Sequence, residues 1–406
     1  MSRHRISSST WRRWAVYISA IATIGAVAAT VSVGSAGASP ARRVAANVAK
    51  PPPAVVPGAR MKASQKAIMS YWTPARMASA KPAQPVVSGV AAKGAKADNA
   101  GNTATGRPGL AGGYVPAGLH AGAAAQGGTI NRNAQSSSVL PADGGYPGPN
   151  DTYNWIGSQG NFPVTAIGKL FFTEPGGNFV CSAAATYGGG TKDMVWTAGH
   201  CVGPQGGKSY YSNFMFCPQY NNGANPKVGC WSWALAQQTG GWYFNGYWSA
   251  DYAYLYMQPS GGTKKIHVVA ATGGLGFGWN WSRDQFWQDF GYPSASPYSG
   301  GKLVITSAEH RYDVTNPGSD PGQQDNSIGS SQTPGFSGGP WVLSFGHHYP
   351  ADPISHGDWI NGNNSYYFTS GGPGGGNEYG VEIQSPYYDT NACNFWKGGS
   401  GWPGTC

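Results

Sequence analysis

Two short segments of the sequence combine residue types and spacing suited to nucleophilic catalysis. Residues 197–201 read Thr-Ala-Gly-His-Cys, and residues 335–340 read Gly-Phe-Ser-Gly-Gly-Pro. A fixed imidazole can accept the proton of a serine hydroxyl, and a serine among glycines lies on backbone that can expose its N–H groups. Together the two segments predict that His200 is a general base and Ser337 a nucleophile, as in a serine hydrolase.

Such a pair needs a carboxylate that can be buried against the imidazole N–H. Asp251 lies between His200 and Ser337 in the apolar, strand-like context Ser-Ala-Asp-Tyr-Ala-Tyr-Leu. The other aspartates of this interval lie in more polar or turn-like surroundings, and Asp289 is the strongest rival among them. We therefore expect Asp251 to orient His200, with Asp289 as the alternative.

The elements that position these residues read as β-strands. From about residue 145 onward, short runs that alternate or are apolar stand between Gly, Pro and Asn turns, and no sustained 3.6-residue apolar period is present. This pattern predicts an all-β domain of the barrel or sandwich class. The runs that carry the prediction are 162–173, 178–186, 252–257, 302–308 and 359–368.

The order His200, Asp251, Ser337 occurs together with the strings Thr-Ala-Gly-His-Cys, Ala-Asp-Tyr-Ala and Gly-Phe-Ser-Gly-Gly-Pro-Trp. Over about residues 160–385 this combination resembles the secreted bacterial chymotrypsin-like (trypsin-fold) serine peptidases, nearest the glutamyl endopeptidase branch. The resemblance implies two six-stranded antiparallel barrels with the site in the cleft between them. It implies an endopeptidase whose histidine and aspartate come from the first barrel and whose serine comes from the second.

The resemblance also implies roles for the backbone around the nucleophile. The N–H groups of Gly335 and Ser337 would form an oxyanion hole, which stabilises the tetrahedral intermediate of acyl transfer. Animal trypsin-like enzymes place an aspartate directly before the nucleophile, where it pairs with a newly cut amino terminus. This chain has Phe336 at that position, so activation by that ion pair is not expected.

The substrate pocket implied by the resemblance leaves the specificity open. In the family, the residue six positions before the nucleophile forms the base of the substrate pocket. Here that residue is Ser331, so a preference for Arg or Lys is not supported. Relatives specific for glutamate carry a histidine where Asn364 stands, although a register through residues 355–357 would restore one. The residues predicted to form the pocket are Ser331, Gln332, Asn364, Ser365 and Tyr366.

The six cysteines all follow residue 180, which fits an oxidising compartment. By the family pattern Cys181 pairs with Cys201. The remaining four could pair locally, although fifteen pairings of six cysteines are possible. The local pairs would be Cys217 with Cys230 and Cys393 with Cys406.

The remaining histidines show no spacing typical of a zinc site, and we interpret them as surface or structural residues. They include His347, His348 and His356. We therefore expect neither a metal nor an organic cofactor.

The start of the chain is typical of an export signal. Four arginines precede an apolar stretch over residues 15–33, and Ala-Gly-Ala at residues 36–38 suits cleavage, with an uncleaved anchor as the alternative. The predicted organisation is a signal peptide (1–38), an Ala/Gly/Pro-rich basic segment (39–145, called the leader below) and a peptidase domain (146–406). We expect a secreted monomer that acts on polypeptides and contacts no membrane after cleavage.

Charge is divided unevenly along the chain. Residues 1–140 hold 16 Lys and Arg against one Asp, a balance of +15, and residues 141–406 hold 10 against 16 Asp and Glu, a balance of −6. A mildly acidic domain lacks the basic surface on which nucleic-acid binding depends. Nucleic acid is therefore excluded as a partner.

The leader contains one apolar island, at residues 65–76, with Ile68, Met69, Tyr71 and Trp72. A flexible linker is one interpretation of such a segment. The other is the pro-segment of a zymogen, because its charge is opposite to that of the domain and its island could dock on that domain in cis.

Two other function classes remain open. One is a catalytically inactive peptidase fold, although no residue of the Ser-His-Asp set is replaced. The other is a cell-wall or carbohydrate-binding protein, which the 16 Trp and 23 Tyr suggest. The alternative role of these aromatic residues is packing in strands.

Overall fold

The computed structural model describes residues 56–83, 86–87, 97–98, 106–116, 150–155, 157, 160–260, 265–346, 358–373 and 378–406. The predicted signal peptide, the three histidines named above and the alternative register at 355–357 lie outside these residues. No helix among the described residues is long and apolar enough to cross a membrane.

Strands make up most of the regular structure. In chain order they are β1 (Ala59–Arg60), β2 (Lys81–Pro82), β3 (Val86–Val87), β4 (Ala97–Asp98), β5 (Gly109–Tyr114), β6 (Asn150–Asn154), β7 (Ile167–Glu174), β8 (Gly177–Ala185), β9 (Met194–Thr197), β10 (Ser212–Pro218), β11 (Trp231–Gln238), β12 (Ala253–Met257), β13 (Gly274–Trp279), β14 (Phe286–Gly291), β15 (Val304–Val314), β16 (Asp325–Gly329), β17 (Pro340–Leu343), β18 (Trp359–Asn363), β19 (Tyr367–Phe368) and β20 (Glu382–Ser385).

Helical elements are short. The α-helices are α1 (Gln65–Tyr71), α2 (Pro74–Ala78), α3 (Val268–Thr272) and α4 (Thr390–Ser400). Single 3₁₀ turns lie at Val164–Ala166, Gly199–Cys201 and Trp248–Ala250, and one π-helical turn lies at Gly241–Asn245.

Six antiparallel strands close into a barrel in the order β7-β8-β9-β12-β11-β10, with β10 pairing back onto β7. Closure removes the free edges that an open sheet would expose. Most of β7 is buried on both faces, because one face lies inside the barrel and other segments of the protein cover the second face. The all-β fold class and the first of the two expected barrels are confirmed.

A second sheet follows the path β20-β16-β15-β14-β17-β18-β13-β5, and β4 and β6 also pair with β15. An isolated bridge between Tyr366 and Gln384 connects the chain after β18 with β20. The loop that carries Ser337 joins β16 to β17 in this second sheet, whereas His200 and Asp251 belong to the first barrel. The two layers therefore supply different parts of the site.

Parts of the leader pack against both sheets, so ordered elements begin before residue 145, where composition alone placed the folded domain. Strand β1 pairs with β11, β2 with β8, and β5 with β13. Ser64 caps α1 by accepting from the Ala67 N–H, and Ile68 and Trp72 are buried against the barrel. Ala- and Gly-rich chain can do this because pairing with a stretch of strand that still has unpaired backbone groups needs only backbone groups of its own. The boundaries near residues 38 and 145 remain predictions.

The cysteines are joined as Cys181–Cys201, Cys217–Cys230 and Cys393–Cys406. These are the three pairs named from the sequence. The first of them links β8 to the turn that carries His200.

Candidate active site

His200 lies on a tight turn directly after β9. The 3₁₀ turn Gly199–Cys201 follows that strand, and the disulfide from Cys201 to Cys181 fixes it to β8. A Cβ on Gly199 would lie 2.8 Å from Cγ of Trp242 and 3.0 Å from Oδ1 of Asp251. Only glycine therefore permits the close approach that brings these groups to the histidine.

Asp251 holds His200 by two contacts. Its Oδ2 lies 2.8 Å from Nδ1 of His200, and its Oδ1 accepts the backbone N–H of His200 at 2.8 Å. Asp251 is fully buried, so water does not compete for these contacts. Since an ionised carboxylate only accepts hydrogen bonds, Nδ1 carries the proton, and Nε2 of the neutral ring is left as the acceptor.

Ser365 adds a third donor to the same carboxylate. Its hydroxyl donates to Oδ2 of Asp251 at 2.5 Å, and Asn363 donates its side-chain amide to the backbone oxygen of Asp251 at 3.2 Å. Residues around the end of β18 therefore fix the aspartate from the side of the second sheet.

Trp242 packs beside the imidazole. Its ring centroid lies 6.2 Å from that of His200 in an edge-on arrangement, and its indole N–H donates to the Gly203 oxygen at 3.0 Å. The π-helical turn Gly241–Asn245 presents this ring, and such turns are frequent at functional sites. The sequence around Trp242 did not predict that its ring would pack beside His200.

Ser337 is brought to the same place by Ser182, which follows the disulfide residue Cys181. The Ser182 N–H donates to the Ser337 oxygen at 2.7 Å, and its hydroxyl donates to the Gly335 oxygen at 2.9 Å. A Cβ on Gly338, whose φ is +77°, would lie 2.0 Å from Oγ1 of Thr197. The serine loop therefore packs directly on the segment that leads to the histidine.

The two atoms that would exchange a proton are both unpaired. Nε2 of His200 and Oγ of Ser337 are buried and have no hydrogen-bond partner in the part of the chain that the structure describes. Buried polar atoms are nearly always satisfied in folded proteins. Both atoms are therefore available to a bound molecule or to each other during a reaction.

The backbone beside Ser337 also offers free donors. Gly335 has a φ of +103°, and a Cβ there would lie 2.8 Å from the nitrogen of Ser294 and the oxygen of Tyr292. Among the described residues, neither the Gly335 N–H nor the Ser337 N–H donates a hydrogen bond. These two groups can therefore donate to a negatively charged oxygen.

Asp289, the rival acid, is not beside the histidine. Its carboxylate accepts from Nδ2 of Asn364 and from Nε2 of Gln332, each at 2.7 Å. Burial raises the pKa of Asp289 well above its ordinary range, although these two hydrogen bonds act in the opposite direction. The carboxyl group of Asp289 therefore binds the segments that carry Gln332 and Asn364, and it does not orient His200.

Most of the predicted pocket side chains point into the protein. Gln332 and Asn364 bind Asp289, Ser365 binds Asp251, and the Tyr366 hydroxyl donates to Oδ2 of Asp325 at 2.9 Å. Ser331 is the exception: it is half-buried and its hydroxyl lies 3.0 Å from that of Tyr298. The sequence identified the segments around the candidate site. It did not predict which of their polar side chains would form hydrogen bonds with which buried aspartate.

Phe336 is completely buried where the animal enzymes have an aspartate. It belongs to an apolar cluster with Trp287, Trp341 and Tyr367, and its ring lies 6.2 Å from that of Tyr367. Apolar packing therefore holds the backbone next to Ser337.

One group of potential metal ligands occurs among the described residues, and it consists of Cys181, His200 and Cys201. Both cysteines are disulfide-bonded, so neither can supply the thiolate that a metal would bind. The chemistry of this donor set does not fit a metal centre. That the protein needs no metal remains a prediction.

Solved protease structures resemble this chain. Protease Anisep from Arthrobacter nicotinovorans is 30% identical, with 62% of this chain and 100% of that chain covered and a TM-score of 0.49. The thermostable serine protease AL20 from an extremophilic microorganism is 27% identical, with 59% and 98% covered and a TM-score of 0.48. A Glu endopeptidase is 13% identical, with 62% and 96% covered and a TM-score of 0.44. No protein-family model and no curated protein matches the sequence.

Proposed function

The chain belongs to the chymotrypsin-like serine proteases of bacteria, and on that premise we propose that it is an endopeptidase in which Ser337, His200 and Asp251 hydrolyse peptide bonds through an acyl-enzyme. The observation that carries the proposal is the buried pair of His200 and Asp251, which leaves Nε2 of His200 free beside the loop of Ser337. A peptidase function agrees with the proteases that resemble this chain.

In the proposed reaction, Oγ of Ser337 attacks the carbonyl carbon of the substrate while its proton passes to Nε2 of His200. The tetrahedral intermediate then collapses, the C–N bond breaks, and the same proton goes to the leaving amine. Water then attacks the resulting ester while one of its protons passes to Nε2 of His200, and when the tetrahedral intermediate collapses that proton goes to Oγ of Ser337 and the acid is released. Asp251 stays ionised throughout and stabilises the imidazolium.

The free N–H groups of Gly335 and Ser337 support the proposal at the oxyanion. Donors fixed before the reaction stabilise charge that develops in the transition state, and the loss of one such donor costs about 10²- to 10³-fold in rate. Ser182 holds this loop through the Gly335 oxygen, so the peptide geometry does not need to reorganise when the charge forms.

A binding protein without catalysis is the competing interpretation. Aromatic side chains that stack on sugars must be exposed, yet among the described residues only Phe286 and Tyr379 are exposed aromatics. The others pack in the interior or are partly covered. Core packing therefore accounts for the aromatic content, and no observation favours a carbohydrate-binding role.

Secretion and a monomeric state belong to the same proposal. Three disulfides suit an oxidising compartment. The leader would act in cis on the enzyme, and a polypeptide would be its substrate.

The test uses protein recovered from culture medium after expression of the full chain, treated with a fluorophosphonate and assayed on casein. Ser337→Ala should abolish labelling, and both Ser337→Ala and His200→Ala should lower proteolysis by several orders of magnitude. The matched control is His267→Ala, because His267 forms a similar 2.7 Å pair with Asp193 but is exposed. If Ser337→Ala kept a tenth of the wild-type activity, the assignment would be wrong.

A further inference from the structure

Lys169 is a buried cation that has no charged partner. It lies in β7, is 5% exposed, and forms no ion pair with any residue that the structure describes. Its Nζ lies 5.2 Å from the ring centroid of Tyr220 and 5.5 Å from that of Phe171. An unpaired charge in the interior is costly in free energy. A methionine would fill the same space without this cost, so packing alone does not account for the lysine.

The ammonium of Lys169 holds one end of the connection between β14 and β15. We call residues 292–300 of this connection the clamp segment. Nζ of Lys169 donates to the Gly300 oxygen at 2.9 Å. A Cβ on Gly300, whose φ is +70°, would lie 2.7 Å from Nζ of Lys169 and 2.1 Å from Oγ of Ser294. Lys169 and Ser294 therefore meet at this glycine.

The clamp segment also fixes a peptide of the proposed oxyanion hole. The N–H groups of Ser294 and Ala295 donate to the Pro334 oxygen at 2.7 Å and 3.2 Å. The peptide between Pro334 and Gly335 is trans, so its N–H points away from that oxygen. The clamp segment therefore sets the direction of the Gly335 N–H, the donor that would face an oxyanion.

Ser294 lies against Gly335 at close range. A Cβ on Gly335 would lie 2.8 Å from both the nitrogen and Oγ of Ser294. The Ser294 hydroxyl donates to the Tyr292 oxygen at 2.9 Å, within the clamp segment itself. Only Gly300 and Ser294 separate Lys169 from the peptide that carries this N–H. A displacement of the clamp segment at its Gly300 end would therefore be transmitted to the oxyanion hole.

We propose that Lys169 is a positioning residue for the oxyanion hole, because its ammonium holds the clamp segment that sets the direction of the Gly335 N–H. The inference rests on the proposed function. A hydrogen bond from an ionised donor is about twice as strong as one between neutral groups, so the ammonium holds the Gly300 oxygen more firmly than a neutral side chain would. Its positive charge also favours the negative charge that forms on the substrate oxygen, since charges in the interior are weakly screened.

The protonation of Lys169 should be visible in catalysis. Burial lowers its pKa to about 8, so the ammonium is lost on the alkaline side of neutrality. The titratable groups that face it are Tyr220 and Tyr292, and burial raises the pKa of both, so they stay neutral while Lys169 titrates. Its neighbours across the sheet are Ser182 and the disulfide-bonded Cys217, which do not titrate there.

The first test uses an inhibitor that places a negative oxygen in the oxyanion hole. A peptide that the wild type cleaves is converted to its trifluoromethyl ketone and, for comparison, to the corresponding alcohol. Oγ of Ser337 bonds to the ketone carbon, the serine proton passes to Nε2 of His200, and the former carbonyl oxygen keeps the negative charge. The alcohol binds without forming a bond or a charge. Affinity for the ketone, but not for the alcohol, therefore reports the oxyanion hole.

The comparison is made on protein recovered from culture medium, with active enzyme counted by the end point of fluorophosphonate labelling. Lys169→Met should weaken the ketone about tenfold and lower kcat by about the same factor, with little change in KM or in affinity for the alcohol. Lys302→Met is the matched control, because it removes an exposed charge two residues after Gly300, and it should equal the wild type. If Lys169→Met does not fold, Lys169→Gln removes the same charge. Equal affinity for the ketone in the variant and the wild type would overturn the inference.

The second test follows kcat for the same peptide from about pH 6 to pH 10, a range that spans the ordinary pKa of His200 and the lowered pKa of Lys169. In the wild type, kcat should rise as His200 loses its proton and then fall about tenfold as Lys169 loses its own. Lys169→Met should show the rise without the fall. A fall of equal size in both proteins, or in neither, would overturn the inference. If the wild type takes no fluorophosphonate label and cleaves no peptide, it is the proposed function that fails.

Discussion

The hydroxyl of Ser365 donates to Oδ2 of Asp251 at 2.5 Å, and this is the same oxygen that lies 2.8 Å from Nδ1 of His200. His200 of the barrel and Ser365 of the second sheet therefore both fix the orientation of the carboxylate. Movement between the two layers would change the direction in which the imidazole points.

Ser365→Ala should lower kcat about tenfold with little change in KM, because a hydrogen bond to a charged group contributes about 1.5–3 kcal/mol and Ser365 acts through Asp251. Ser365→Thr keeps the hydroxyl and should restore most of the rate. Steady-state kinetics on one peptide substrate measure both effects. An unchanged kcat for Ser365→Ala would show that the contact is only structural.

Asp251→Asn should lower kcat by about 10⁴, the loss known for the equivalent change in a serine protease, where the wrong imidazole tautomer results. Asp289→Asn is the control, because Asp289 binds Gln332 and Asn364 and does not contact His200. It should keep kcat within about tenfold of the wild type. A large loss for Asp289→Asn with a small one for Asp251→Asn would reverse the assignment of the acid.

Lys169 gives the fold a predictable pH dependence. It is buried, donates to the Gly300 oxygen at 2.9 Å, and burial lowers its pKa to about 8. Its ordinary value is about 10.4, so between these values the unfolded chain binds a proton that the folded chain does not. The free energy of unfolding should therefore rise with pH across this window, by up to about 3 kcal/mol.

Other groups titrate in the same window, so the measurement is the difference between the wild type and Lys169→Met in denaturant unfolding from pH 7.5 to 10.5. The rise due to Lys169 should disappear in the variant. Lys302→Met, at an exposed lysine, should keep the wild-type slope. Parallel curves for wild type and Lys169→Met would contradict a desolvated lysine.

His200 and Ser337 could be selected from the sequence as candidate catalytic residues because their signals are local. His200 and Ser337 each lie within a short string whose glycines are needed for close packing, as Gly199 and Gly338 show. The role of Ser365 was not predictable in this way. Its contact with Asp251 joins residues 114 positions apart, and it depends on how the second sheet meets the barrel, which no periodic pattern records.

The leader was predicted only in part, for a related reason. The island around Trp72 has apolar residues that a reader of the sequence can identify. Strands β1, β2 and β3 are each two residues long, which is too short for any alternation to be visible. Their positions follow from the backbone groups that the larger strands leave unpaired, and those groups are in place only once the sheets have formed.

Trp72 should anchor the leader to the barrel. It is 4% exposed, its indole N–H donates to the Asn213 oxygen at 2.6 Å, and its ring lies 5.4 Å from that of Phe171. Loss of a buried tryptophan costs about 3–5 kcal/mol. Trp72→Ala should therefore open the segment around α1 far more often than in the wild type.

Added trypsin can report this opening, because Arg60 and Arg76 flank the anchor on exposed chain. In a Ser337→Ala background, which prevents self-cleavage, the rate of cutting follows the population of the open form when opening is fast relative to cleavage. Trp72→Ala should be cut at least about tenfold faster than its parent. Met69→Ala, in helix α1 directly before Trp72 but exposed, should be cut at the parental rate, and equal rates for the two variants would show that Trp72 does not hold the leader in place.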